Sequence, residues 1–258
     1  MSLFRNIVFT AVIGGLLSGL LMTVMQQFST VPLILQAETY EHAAPAGHSH
    51  EHAAAPDATA PAASEHHHDD EAWTPADGIE RFAYTVAANV LSAIGFALVL
   101  VAVAEALGGL GGAGSSSWRS GLMFGIAGFL TVSLAPGLGL SPELPGMPAA
   151  ELGPRQVWWA ATALCTAVSL GLLAYTRSPL LAALAVVLLV APHLVGAPLP
   201  PTHDTEVPMA LEARFVNAVF ATNLVFWAVL GTLTAMLRQR FRAGEEAAAG
   251  PAAGLASR

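Results

Sequence analysis

The chain has 258 residues, 54% hydrophobic and only 11% charged, with a formal net charge of -8. A soluble domain carries about 25% charged residues, so most of this chain need not face water, and composition overrides any domain count drawn from length. All ten basic residues are arginine, which excludes a Walker-type phosphate loop and a Schiff-base lysine, and no basic stripe outside the C-terminal end supports nucleic-acid binding.

A hydrocarbon core about 30 Å thick takes about 20 apolar residues in a helix. Six segments approach that length, at about 7–28, 82–106, 120–140, 157–175, 180–199 and 214–237. Lipid cannot satisfy free backbone groups, so helices are the expected spanning form, and the runs are too continuous for barrel strands. The expected fold is an all-α polytopic membrane protein with about six transmembrane helices and a disordered, histidine-rich extracytoplasmic loop. Its parts are a first transmembrane helix (1–28), the loop (29–81), a five-helix membrane domain (82–237) and a cytoplasmic tail (238–258).

The first segment follows Arg5, as a signal peptide would, but its apolar run exceeds the usual 7–15 residues and no small-residue cleavage site ends it. Ala11, Gly15 and Gly19 form a small-xxx-small face suited to close helix packing, so a retained helix is expected. Met22, Met25, Gln26 and Gln27 near its end read mainly as packing side chains, with a pathway role as the rival.

The next segment is rich in Ala, Pro, His, Asp and Glu, lacks hydrophobic periodicity, and is expected to stay flexible without a ligand. Seven of the nine histidines fall here: His42, His48, His50, His52, His66, His67 and His68. Interleaved with them are Glu41, Glu51, Asp57, Glu65, Asp69, Asp70 and Glu71. Imidazole nitrogens and carboxylate oxygens suit first-row divalent metals, so the pattern points to metal capture and away from an inert linker. Ordering a flexible loop opposes binding, so affinity is expected to be modest, and to fall below about pH 6 as protons compete for imidazole.

Beyond the second helix, a Gly/Ser linker spans 108–117. Past the third, Glu143 sits in the proline-stiffened Ser141-Pro142-Glu143-Leu144-Pro145-Gly146. It is expected to pair structurally with Arg155, with a place over a cavity mouth as the alternative. Arg155-Gln156 followed by Trp158-Trp159 reads as an interfacial anchor. Cys165, the single cysteine, reads as a small apolar side chain. In the fifth helix, Pro192 weakens the backbone ladder beside His193, in the manner of broken-helix transporter sites. His193 is a candidate metal ligand, with a single hydrogen-bonded histidine near an interface as the equal alternative, and Glu143 is a candidate ligand too. His203, Asp204 and Glu206 form a weaker group, and Asn89, Asn217 and Asn223 are expected to bridge helices within the membrane.

With the N-terminus inside, seven arginines (5, 119, 177, 238, 240, 242, 258) fall inside and three (81, 155, 214) outside. That bias favours both termini in the cytoplasm. No nucleophile–base pair, zinc-protease motif or hydrolase elbow is present, so an enzyme is not expected, nor a bound cofactor.

Several strings in order resemble the CbtA family of probable cobalt transporter subunits over most of the chain. They are Trp73-Thr74-Pro75-Ala76-Asp77-Gly78-Ile79-Glu80-Arg81, Leu134-Ala135-Pro136-Gly137-Leu138-Gly139-Leu140, Pro142-Glu143-Leu144-Pro145-Gly146, Arg155-Gln156-Val157-Trp158-Trp159 and Pro192-His193-Leu194-Val195-Gly196-Ala197-Pro198. The resemblance implies a multi-pass protein of the bacterial inner membrane, with Co²⁺ as substrate, a link to cobalamin supply and a small CbtB-like membrane subunit as partner. It supplies no ligand set. The alternatives are a membrane metal-binding or sensing protein that moves nothing, and a membrane assembly factor.

Overall fold

The computed structural model describes residues 2–43, 75–76, 78–107, 117–202 and 204–249. The described residues contain eight α-helices: α1 (Ser2–Phe28), α2 (Val31–Ala43), α3 (Ile79–Ala106), α4 (Ser117–Gly128), α5 (Ala135–Gly137), α6 (Leu152–Tyr175), α7 (Pro179–Val195) and α8 (Met209–Ala249). A π-helical segment, Phe129–Leu134, joins α4 to α5. Among the described residues, five helices are long and apolar enough to cross a membrane: Phe4–Phe28, Ile79–Ala106, Trp118–Gly137, Leu152–Tyr175 and Met209–Gly244. The protein is an all-helical, polytopic membrane protein.

The expected fifth span differs. Helix α7 has 17 residues, about 25 Å at 1.5 Å per residue. It stops where Gly196 takes a φ of +87°, a conformation that costs glycine little. The expected third span is interrupted too: Pro136 has no amide to give the ladder, and just before it the bonding shifts to the i→i+5 pattern, with Ala135 N–H donating to Leu130 O.

Two further differences lie outside the spans. Helix α2 occupies a stretch expected to be loop; Leu33, Ala37 and Tyr40 recur on one face of it and join a cluster with Leu144, Val207, Leu211 and Phe215. Helix α8 runs past the expected end of its span to Ala249, a length of 41 residues or about 60 Å. Arg238, expected in a solvated tail, is 1% exposed. It donates from Nε to Glu105 Oε1 of α3 at 2.8 Å, and Arg242 pairs with the other carboxylate oxygen. This cluster, with Arg238 buried and Glu105 and Arg242 partly exposed, fastens α3 to α8 at the end where α3 finishes, here termed the lower end. The upper end is where α1 finishes and α3 begins.

The packing is inverted relative to a soluble protein. Leu91, Val99, Leu164 and Val187 lie outside, while Thr10, Ser18, Thr162, Thr166, Ser169 and Thr234 are buried. The last four hydroxyls donate to a carbonyl one turn back. Lipid gives large aliphatic side chains no reason to hide, so helices associate through small residues and close contact.

The α1 face read from the sequence behaves in this way. Ala11 is fully buried, and a Cβ on Gly15 or Gly19 would stand 2.6 Å from the Cα of Ile94 or Val90 in α3. Helices α4 and α8 meet more closely still. A Cβ on Gly121 would lie 2.3 Å from Gly231 O, and one on Gly125 2.2 Å from Trp227 O. These are contacts of backbone on backbone, and no side chain fits between them.

Gly125→Leu should therefore push α4 off α8 and cost about 1–3 kcal/mol or more, seen as a lower thermal midpoint in detergent. Gly171→Ala, with nothing within 4 Å of the added methyl, should show no loss.

Candidate functional site

A cavity of about 480 Å³ lies at the upper end among α5, the loop that follows it, the start of α6 and α8. Its walls come from close ring contacts. A Cβ on Gly137 would meet the Phe220 ring at 2.7 Å, and one on Gly139 the Trp158 ring at 2.3 Å. Glycine at both positions lets the aromatic side chains lie directly on the backbone.

Glu143 and Arg155 both line the cavity, together with Gln156 and Trp159. Arg155 Nη2 stands 3.0 Å from Glu143 Oε2, and each side chain is 28% exposed. The expected structural pair is present, and it lies in the cavity lining. Arg155 belongs to α6, which begins earlier than the sequence suggested, with Pro154 in its first turn where a missing amide costs nothing. Trp158 is not an interfacial anchor. It is 8% exposed, and its Nε1 donates to Pro192 O at 3.2 Å.

Deeper in the cavity, Ser133 of the π-helical segment and Asn223 of α8 supply polar oxygen. Ser133 Oγ donates to Asn223 Oδ1 at 3.3 Å, Trp227 Nε1 donates to Ser133 Oγ at 3.2 Å, and Asn223 Nδ2 donates to Val219 O at 2.9 Å. Trp227 packs against Phe96 and Phe226, with ring centroids 5.0 and 5.7 Å away. Polar groups at the depth of a lipid core are costly and accompany function more often than not, and π-helical insertions favour functional sites. Sequence reading singled out Asn223 but not Ser133, because the i→i+5 segment that sets Ser133 opposite Asn223 has no simple local signature.

Of the other two asparagines expected to bridge helices, Asn89 does so, donating to Thr23 Oγ1 at 3.0 Å and Gln26 Oε1 at 2.6 Å. Asn217 is exposed. Met22 and Met25 belong to the α1–α3–α8 core.

The candidate metal residues are distributed as follows. His48, His50, His52, His66, His67, His68 and His203 lie outside the described residues. His42 is in the last turn of α2. His193 is half-buried, edge-on to Trp158 with ring centroids 5.8 Å apart; it is not among the residues that line the cavity. Glu143 and His193 are thus not joined in one cavity wall, and Trp158 touches the surroundings of each. Asp204 and Glu206 are exposed. Among the described residues no three His, Cys, Asp or Glu side chains converge on one point.

Helix α2 joins the histidine segment to this region. Its cluster includes Leu144, next to Glu143, and Val219, which also lines the cavity. Glu38 of α2 pairs with Arg81 of α3 at 2.5 Å, so both roots of the histidine segment are held together at the upper end.

A family described as "Probable cobalt transporter subunit (CbtA)" matches residues 4–239, nearly the whole chain. No curated protein and no solved structure matches it.

Asn223→Ala should leave Ser133 without its acceptor and cost about 0.5–1.5 kcal/mol, read as a lower thermal midpoint with altered Trp227 emission. Asn217→Ala should leave both unchanged.

Proposed function

The chain belongs to the CbtA family of probable cobalt transporter subunits, and from that premise we propose that it takes up a divalent cation, Co²⁺ in preference to Ni²⁺ or Zn²⁺, through the upper cavity. In this reading the histidine segment gathers the ion and hands it to Glu143. The observation that carries it is the seat of α2, whose cluster shares Val219 with the cavity wall and touches the loop beside Glu143. Helix α2, which leads into the histidine segment, therefore packs beside the cavity.

Neutral imidazoles hold such ions reversibly, and binding that is neither too weak to load nor too strong to release suits conduction. Glu143 supplies a charged oxygen at the mouth, and Ser133 and Asn223 supply neutral oxygens farther in. His193 bears on the path through Trp158, whose indole its ring steadies.

In this reading the upper end faces outward from a bacterial inner membrane and both termini are cytoplasmic, an orientation that the arginine bias supports. A subunit implies companions. A small CbtB-like membrane subunit is assigned to the apolar groove of about 450 Å³ among α3, α4 and α6, lined by Val99, Val103, Met123 and Leu170.

Uptake of radioactive Co²⁺ into cells expressing the complete transporter tests the reading. Deleting residues 42–68 should raise the Co²⁺ concentration needed for half-maximal uptake while the protein still assembles; wild-type uptake at limiting metal would remove the capture role. Glu143→Gln should reduce uptake even at saturating metal, and His193→Ala should do so to a smaller degree. Wild-type rates in correctly inserted Glu143→Gln protein would refute the cavity as the path.

A further inference from the structure

The charge balance of the cavity raises a difficulty for any dication that enters it. Its lining holds one carboxylate, Glu143, and one guanidinium, Arg155, already 3.0 Å apart. Arginine does not lose its proton in a protein, so its charge can leave the site only by movement. A dication on Glu143 and a guanidinium at that distance would repel each other.

We propose that Arg155 is a tethered counter-cation that the entering dication displaces from Glu143 onto Glu151. Resting on the Glu143 pathway proposed above, this assigns regulation to the same site. Arg155 lies in the first turn of α6, where the helix dipole disfavours a cation and Glu143 offsets that cost. One turn earlier stands Glu151, whose backbone carbonyl accepts the Arg155 amide at 3.2 Å. Glu151 is the N-cap of α6, with ψ of 138°, where the helix dipole favours a carboxylate. Glu151 is exposed, and no described ion pair engages it. Arg155 thus has a second carboxylate four residues earlier, at the N-terminus of its own helix.

The exchange gives the cavity two states. Empty, it is neutral, with Arg155 on Glu143. Loaded, it holds the dication on Glu143 while Arg155 rests on Glu151. Return of Arg155 then drives the ion off Glu143, so the same residue that weakens loading hastens release. A monovalent cation gains less from Glu143 than a dication does and displaces the guanidinium poorly, which makes Arg155 a filter for charge.

Kinetics of Co²⁺ uptake by the complete transporter decide the matter. Arg155→Gln should lower KM about two- to five-fold, the scale of one partly exposed ion pair, and lower the maximal rate as well. Arg155→Lys should restore both toward wild type. Glu151→Gln, outside the cavity lining, should raise KM about two-fold. An assembled Arg155→Gln protein with KM at or above wild type overturns the proposal, and so does a Glu151→Gln KM equal to wild type. Should Arg155→Gln fail to insert, the Glu151→Gln result decides alone. Impaired uptake in Glu143→Gln without tighter loading in Arg155→Gln would remove the displacement and leave the pathway standing; unimpaired Glu143→Gln would remove both.

Discussion

The contact between α4 and α8 is the constraint on which the rest of the membrane domain depends. In lipid, an aliphatic side chain gains nothing by moving from the outside of a bundle to its inside, so association rests on how closely two helices can approach. Gly121, Gly125 and Gly231 remove the side chains at the crossing. With the backbones touching, Trp227 is pressed against Gly128, and its indole nitrogen comes within reach of Ser133. The long α8 then serves as the common surface for α1, α2, α3 and α4.

The cavity follows from this arrangement together with one defect in a helix. Pro136 cannot complete an α-helical ladder, the bonding widens just before it, and the chain turns past Gly137 and Gly139 against two aromatic rings. Space opens at the upper end, where Glu143, Arg155 and Gln156 face it. Toward the lower end, Phe96, Phe226 and Trp227 fill the interior and the Glu105–Arg238–Arg242 cluster ties α3 to α8. The upper cavity therefore carries the charged lining, whereas the groove among α3, α4 and α6, which reaches Leu107 and Tyr175 toward the lower end, is apolar.

The histidine segment relates to the cavity through its root. Its residues after Ala43 hold the histidines and acids visible in the composition, whereas α2 is a packed helix. The Leu33–Ala37–Tyr40 spacing and Pro32 in the first turn are signals for that helix, but they are short and sit beside a polar, proline-rich tract that masks them. Helix α2, which leads into the histidine segment, packs in the same cluster as Leu144 beside Glu143.

Much of the architecture was decided by the sequence alone, because burial in lipid demands long apolar runs and internally satisfied backbone, and both are local properties. Five of the six expected spans, the small-residue face of α1, the Glu143–Arg155 pair and the bridging roles of Asn89 and Asn223 were readable from the sequence. Tertiary structure decided what depends on residues far apart in the chain. It put Arg238 against Glu105 rather than in a tail, turned Trp158 inward onto Pro192 O, and set Ser133 opposite Asn223. It also separated His193 from the cavity lining that holds Glu143. Each of these outcomes depends on which helix lies next to which and at what distance. A small-residue spacing in one segment marks a face for close packing, but not the partner helix that meets it.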